Sequence, residues 1–181
     1  IETIHRQVNE IRYLVDEFSN FARLPNPDLK KQDIIAILSA VISDYKSNNK
    51  NIKFFNKFHL NLLNINIDKS QISRVFQNII VNSIHSVSEN NNDNGEIIYS
   101  SYEEEDILII SIKDNGFGFK YDKEELIKPY FTTKKKIGGS GLGLAIVEKI
   151  LFDHHADFSL TNRNDGKLGA EVKIKFSKSN L

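Results

Sequence analysis

The sequence predicts a two-layer α/β sandwich of the α+β kind, preceded by one long coiled-coil-like helix. Three observations carry this. An a/d heptad seam runs unbroken through the opening residues. Helix and strand patterns then follow in the order α-β-β-α-β-β-α-β-β. The strands come in pairs between helices, which favours a sandwich over a parallel βαβ sheet. With 181 residues, 40% of them hydrophobic and 27% charged, the chain is long enough for one ordinary domain, with a buried core, plus a small appendage.

The seam consists of Ile1, Ile4, Val8, Ile11, Val15, Phe18 and Ala22, at alternating steps of three and four. Arg6, Glu10, Arg12, Asp16 and Glu17 occupy the other faces. A helix over residues 1–24 would span roughly 36 Å at ~1.5 Å per residue. The seam is narrow and strict, which favours a helix of an intermolecular bundle over one lying on its own domain. Pro25 and Pro27 end it, and residues 25–33 read as a linker. Asp33 is the expected N-cap of a second helix over 34–47, with Ile34, Ile37, Leu38, Val41 and Ile42 on one face.

Strands are expected near 53–60 and 62–67, the latter alternating through Leu63, Ile65 and Ile67. Asp68 or Ser70 caps a longer helix reaching about Val87, with Ile72, Val75, Phe76, Ile79 and Ile80 inward. Residues 96–102 and 107–113 read as strands joined by an acidic turn. Residues 114–139, rich in Gly, Lys and Pro, read as irregular. A helix is expected over 142–154 and strands over 157–162 and 170–176, leaving 178–181 as a tail. The main domain is therefore expected over 34–177.

Charge is balanced, with 24 basic and 24 acidic residues, so no basic surface for nucleic acid or lipid headgroups is indicated. The chain has no cysteine, which excludes disulfides and thiolate metal sites and fits a reducing cytosol. No apolar run approaches the ~20 residues needed to span a bilayer. The chain has no methionine and starts at Ile1 inside a helical pattern, as expected of a piece of a longer protein.

Three polar clusters stand out. In Asp114-Asn-Gly-Phe-Gly-Phe119 a carboxylate ends a strand beside glycines that allow close approach of a flat ligand. The same residues also suit a plain turn. In Gly138-Gly-Ser-Gly-Leu-Gly-Leu144 a glycine loop runs into an amphipathic helix, as an anion site or as a hinge. It has neither Walker A nor Rossmann spacing. Asn78 and Asn82, four apart on a helix, suit either Mg²⁺ ligation beside phosphates or helix-to-loop hydrogen bonding.

Taken in order, Asn78-x₃-Asn82, Asp114-x-Gly-x-Gly, Pro129-Tyr-Phe-Thr-Thr-Lys134 and Gly139-Ser-Gly-Leu-Gly-Leu144 resemble the N, G1, F and G2 boxes of the GHKL (Bergerat-fold) ATPases. That family comprises histidine kinases, gyrase, the 90-kDa heat-shock chaperones and MutL proteins. The resemblance covers about residues 34–177. Hydrolysing members carry a glutamate base where this chain has Asn78, and an amide cannot abstract a proton. Together with Phe131-Thr-Thr-Lys134 this resembles the histidine-kinase branch. The stretch Val15-Asp-Glu-Phe-Ser-Asn-Phe-Ala-Arg-Leu-Pro25 is similar to the second dimerisation helix of nitrogen-regulation-type sensor kinases.

The resemblance implies an ATP·Mg²⁺ site. Asp114 would accept from the adenine amino group, with Gly116 and Gly118 shaping the pocket. Asn82 and Asn78 would hold Mg²⁺. Gly139, Ser140, Gly141, Leu142 and Gly143 would offer donors at the helix start. His85 and Lys134 would reach the phosphates, and Phe131 and Thr133 would belong to the lid. The γ-phosphoryl would pass to a histidine on a first dimerisation helix, then to a response-regulator receiver aspartate. The partners implied are a second copy, paired through the dimerisation helices, and that receiver domain. The domain would be cytoplasmic, with inner-membrane anchoring only through N-terminal segments outside this chain. No His in this chain is followed by an acidic residue and Asn-Pro, so none resembles the phosphoacceptor. His154 and His155 are helix-terminal with no catalytic role expected. A degenerate nucleotide-binding scaffold and a gyrase- or heat-shock-type ATPase are the alternative readings.

Overall fold

The computed structural model describes residues 5, 8, 12, 15, 18, 19, 21–59, 63–90, 94–132 and 140–177. The described residues from 5 to 22 are helical (α1). Then follow β1 (Lys30–Asp33), α2 (Ile34–Asn48), β2 (Ile52–Phe58), β3 (Asn64–Ile67), α3 (Lys69–Glu89), β4 (Gly95–Glu104), β5 (Ile107–Asp114), α4 (Lys123–Leu126), α5 (Gly143–Asp153), β6 (Ala156–Asn162) and β7 (Ala170–Ser177).

The main sheet has five strands in the order β2-β4-β5-β7-β6. Pairing is antiparallel except for β2 with β4, where Ile52 lies opposite Gly95 and the strands run parallel. Strand period 2 sends Ile97 and Tyr99, Leu108, Ile110 and Ile112, and Val172, Ile174 and Phe176 to one face. That face meets the apolar stripes of α2, α3 and α5 in one continuous core. The result is the expected two-layer sandwich.

The helix starts follow from their caps. Asp33 accepts from Ile35 N at 3.0 Å. Asp68 Oδ1 accepts from Ser70 N at 2.9 Å and Gln71 N at 3.1 Å, so Asp68 rather than Ser70 caps α3. The buried His154 ties the end of α5 to this cap. Its Nε2 accepts from Asp68 N at 3.0 Å, and its Nδ1 lies 2.7 Å from Ile150 O. These two bonds give it a structural role at the cap.

Two features differ from the sequence expectation. The end of the expected linker is a strand: β1 pairs antiparallel with β3 as a separate two-stranded sheet. Its residues, Lys-Lys-Gln-Asp, have no apolar alternation; backbone pairing with β3, and Asp33 Oδ1 accepting from Leu63 N at 3.2 Å, make the strand. Within the expected irregular segment, α4 forms one helical turn. Lys123 pins it, bridging to Asp157 at 3.2 Å and Glu148 at 3.3 Å, with Nζ 4.2 Å from the Phe158 ring centroid.

Val8, Val15 and Phe18 on α1 are each about half exposed, so these seam residues are not buried against the sandwich. Ile1, Ile4 and Ile11 of the seam lie outside the described residues. Phe18 stacks on Tyr130, with ring centroids 6.4 Å apart. Phe21 joins Ile127, Pro129 and Phe152 around a hollow of about 340 Å³. Among the described residues, no helix is long and apolar enough to cross a membrane.

Candidate nucleotide site

Asp114 ends β5 on the helix-facing side of the sheet, opposite Ile97 of β4, and is only 3% exposed. Its Oδ1 accepts from Gly116 N at 2.9 Å and Ala170 N at 3.3 Å, and the Ser83 hydroxyl also donates to the carboxylate. Burial pushes its pKa above the ordinary carboxylate value. The two backbone donors, Ser83 and the positive charge of Arg163 oppose that shift. A buried carboxylate surrounded by donors is a strong acceptor for a ligand N–H.

The glycines after it allow close contact. A Cβ on Gly116 would lie 2.1 Å from Ser86 Oγ, a hydroxyl that also accepts from Phe117 N at 3.1 Å. Gly118 has φ +75°, in the left-handed region where a side chain is disfavoured. The turn is thus pressed onto α3 through Ser86, while Ser83, one helical turn earlier, bonds the carboxylate itself.

On α3, Asn78, Asn82 and His85 are all half-buried and follow one another at steps of four and three, so they share a helical face. Asn78 Nδ2 donates to Arg74 O at 2.9 Å, which orients its Oδ1. That oxygen lies 2.9 Å from where a Cβ on Gly143 would be. The side-chain amide therefore reaches the start of α5 at a point where only a glycine leaves it room.

Leu142 occupies the N-cap of α5, fully buried, and makes no side-chain capping bond. Ser140 Oγ accepts from Leu142 N at 3.3 Å. Gly141 has φ +70°, and a Cβ there would sit 2.6 Å from Tyr130 C. Tyr130 N donates to Gly141 O at 3.0 Å. The Pro129–Phe131 stretch is thereby locked to the α5 start, and Phe131 meets Tyr121 edge-on at 5.1 Å.

Of the residues expected at the site, Asp114, Gly116 and Gly118 gather at one end of α3. Asn78, Gly141, Leu142 and Gly143 gather nearer its middle, where α5 begins. Asn82 and His85 lie on the helix between these contacts. Thr133, Lys134 and Gly139 lie outside the described residues. Ser83, Ser86, Asn162 and Arg163 were not picked out from the sequence. Ser83 and Ser86 carried a faint signal, as small polar residues three apart on the asparagine-bearing helix. Among the described residues no group of three or more His, Cys, Asp or Glu side chains could hold a metal.

A mixed sheet roofed by three helices, with a buried carboxylate beyond a strand end and an amide-bearing helix meeting a glycine-lined helix tip, defines an ATPase-type nucleotide-binding domain. Residues 67–180 match the family described as histidine kinase-, DNA gyrase B-, and HSP90-like ATPase. The chain belongs to that family. It is 33% identical over 177 residues to the nitrogen regulation protein NtrY of Azorhizobium caulinodans, an alignment that covers 96% of this chain and 22% of that protein. The chain spans between 22% and 29% of the length of the curated relatives it matches first. The catalytic domain of histidine kinase ThkA, nucleotide-free, superimposes with a TM-score of 0.71 at 24% identity, covering 83% of this chain and 96% of that one. ThkA in complex with response regulator protein TrrA gives 0.76 at 19% identity, covering 98% and 50%.

Proposed function

We propose that this chain is the ATP-binding part of a sensor histidine kinase, together with one helix of the dimerisation bundle. The observation that carries the reading is the buried, donor-surrounded Asp114 at the end of β5, held through Ser83 to the helix α3 that also presents Asn78 and Asn82. In this reading Asp114 accepts from the adenine 6-amino group, and Gly116 and Gly118 let the base lie close to the backbone. Ser140, Gly141 and Leu142, leading into α5, and Gly143 at its start offer N–H groups to the phosphates. His85, together with Thr133, Lys134 and Gly139, completes the triphosphate grip.

Magnesium fits this site as a phosphate-bound ion. The described residues provide no carboxylate cluster for a protein-only cage, whereas Asn78 and Asn82 offer neutral amide oxygens that suit Mg²⁺ sharing its shell with phosphates. Bound there, the ion would neutralise charge on the triphosphate. Neither amide can act as a base, so the site suits transfer to a nucleophile that needs no activation here. Phosphoryl transfer depends mainly on positioning and charge neutralisation. An imidazole nitrogen would attack the γ-phosphorus as the bond to the ADP oxygen breaks. The phosphoryl group would then pass to an aspartate of a response-regulator receiver domain.

That imidazole belongs to a helix outside this chain, since none of the five His sits in a phosphoacceptor-like context. The exposed Val8, Val15 and Phe18 of α1 suit pairing in a bundle with a second copy. The parent protein is a sensor with this domain on the cytoplasmic side, attached to the membrane through other segments.

Calorimetric titration of Mg·ATP into the chain tests the reading. The unaltered chain should bind it, and Asp114→Asn should not. Incubation with γ-labelled ATP should leave the chain unlabelled. Unchanged binding by Asp114→Asn, or steady ATP turnover by the chain alone, would overturn the proposal.

A further inference from the structure

The last residue of β6 and the turn that joins it to β7 hold the Asp114–Phe119 segment at both ends. At the first end, Arg163 Nη1 donates to the backbone carbonyl of Asp114 at 3.3 Å. The Arg163 side chain is 3% exposed. Its other nitrogens are occupied by Asp165, with Nε on Oδ1 at 3.0 Å and Nη2 on Oδ2 at 2.5 Å. The guanidinium is therefore oriented by Asp165, and Asp114 receives a donor that is already in place. The same turn presses directly on that carbonyl, because a Cβ on Gly169 would fall 2.0 Å from Asp114 O. Next to it, Ala170 N donates to the Asp114 carboxylate.

At the second end, the side chain of Asn162 stands in for a strand partner. Its Oδ1 accepts from Phe119 N at 2.6 Å, and its Nδ2 donates to Phe119 O at 3.0 Å. A Cβ on Gly118 would lie 2.4 Å from Asn162 Oδ1, so the loop lies flush against this amide. Two adjacent side chains thus fix the start and the finish of the six-residue loop. Asp114 itself sits on β5, while its braces, Asn162 and Arg163, are the last residue of β6 and the one after it, with β7 between the two strands in the sheet.

We propose that Asn162 and Arg163 are positioning residues for base selection, holding the Asp114 carboxylate and its glycine turn where they meet the 6-amino group of a purine. The proposal rests on the ATP-site reading above and adds to it the device that sets adenine preference. Recognition of one N–H by one carboxylate tolerates displacements of only about 0.5 Å, so a loop braced at both ends is pre-organised for it. The positive charge of Arg163 also favours the ionised, acceptor-only state of the carboxylate against the effect of burial.

The test compares ATP with purine riboside 5′-triphosphate, which has the same sugar and phosphates but no 6-amino group. Affinities for both, with Mg²⁺, are measured by calorimetry on the 181-residue chain and on Asp114→Asn, Arg163→Ala, Arg163→Lys and Asn162→Ala. Arg163→Ala and Asn162→Ala should each weaken ATP about tenfold, the size of one hydrogen bond to a charged or pre-placed group. Both should leave the deamino analogue within about twofold, since its phosphate contacts are untouched. Arg163→Lys should recover part of the preference, because an ammonium can reach the carbonyl but cannot fork onto Asp165. If the unaltered chain binds no ATP, or Asp114→Asn keeps the preference for ATP, the site reading fails and this inference with it. If Asp114→Asn loses the preference while the Asn162 and Arg163 variants weaken both ligands equally, or neither, the site stands and the inference fails. Should Arg163→Ala not fold, Arg163→Lys and Asn162→Ala decide.

Discussion

His154 should make the stability of this domain depend on pH in a defined direction. The residue is 3% exposed, and its two partners fix its tautomer. The Ile150 carbonyl can only accept, so Nδ1 carries the hydrogen; the Asp68 N–H can only donate, so Nε2 is bare. Burial lowers the pKa below 6.5, against the Ile150 carbonyl and the Asp68 and Asp153 carboxylates, which favour the charged form. A second proton would have to sit on Nε2, facing the Asp68 N–H. Since the folded pKa lies below the unfolded one, folding favours the neutral ring. The contribution is therefore complete above about pH 6.5 and is lost as pH falls below that, through the folded value. Removing the ring with His154→Ala orphans the Asp68 N–H and opens a cavity at the α3 cap, a cost of ~2–4 kcal/mol. His154→Gln can keep an acceptor for Asp68 and cannot titrate. Urea unfolding at a series of pH values from 8 to about 5 should show the unaltered chain losing stability more steeply than His154→Gln. Parallel pH profiles for the two would refute the reasoning, and so would a gain in stability on acidification that disappears with the histidine.

Other substitutions separate folding from binding. Asp114→Asn keeps an oxygen for Gly116 N and Ala170 N but removes a buried charge. Because burial raises the folded pKa of Asp114, its contribution is favourable at low pH and lost as pH rises through the folded value. At neutral pH the variant should melt at the same or a higher temperature while losing ATP in calorimetry. Gly116→Ala should destabilise the domain by about 1–3 kcal/mol in urea titrations, because its Cβ would meet both the side chain and the backbone of Ser86. Gly143→Ala should set a helix-propensity gain of up to ~1 kcal/mol against a clash with Asn78 Oδ1, leaving stability in urea titrations within about 1 kcal/mol while weakening Mg·ATP by displacing that oxygen. Asp68→Ala should cost about 1 kcal/mol at neutral pH. Against the cost of burial, backbone donors from Asp28, Gln71 and Ser70 hold the Asp68 carboxylate below 3.8. Its contribution is therefore present above that value and lost as pH falls through the folded one, and the variant's deficit should vanish in strong acid.

Elements whose information is local were legible in the sequence. The apolar stripes of α2, α3 and α5 and the run through β5 appear in the structure within a residue or two of expectation. So do the Asp33 and Asp68 caps. The strand β1 was not legible, because Lys30–Asp33 has no apolar pattern and exists through its distant partner β3. Nor was the parallel pairing of β2 with β4, since periodicity says which face a strand buries but not which neighbour it takes. At the site, a carboxylate followed by alternating glycines, a pair of amides one turn apart and a glycine run before a helix are each visible in a short window. Their supports are not. Ser86, Asn162 and Arg163 are ordinary polar residues whose partners lie 31, 43 and 49 positions away, and His154 reaches back 86 positions to Asp68.

The division has a physical reason, and it shows how the site is built. Groups that would touch a nucleotide must be unusual: a charge at a strand end, amides on a helix, glycines where a Cβ would clash. Groups that hold them in place need only complete hydrogen bonds, and common residues can do that. The helix α3 carries both kinds. Ser83 and Ser86 fix the carboxylate and its glycine turn near one end, Asn78 meets the α5 start nearer the other, and Asn82 and His85 lie between. The Asp68 cap, itself joined to the end of α5 by His154, sets where that helix begins. A shift of α3 along its axis by one residue, about 1.5 Å, would therefore disturb the purine end and the phosphate end together. This is why substitutions at the cap, far from any bound nucleotide, are expected to alter the affinity for ATP as a whole, whereas those at Asn162 and Arg163 are expected to alter only its preference for adenine.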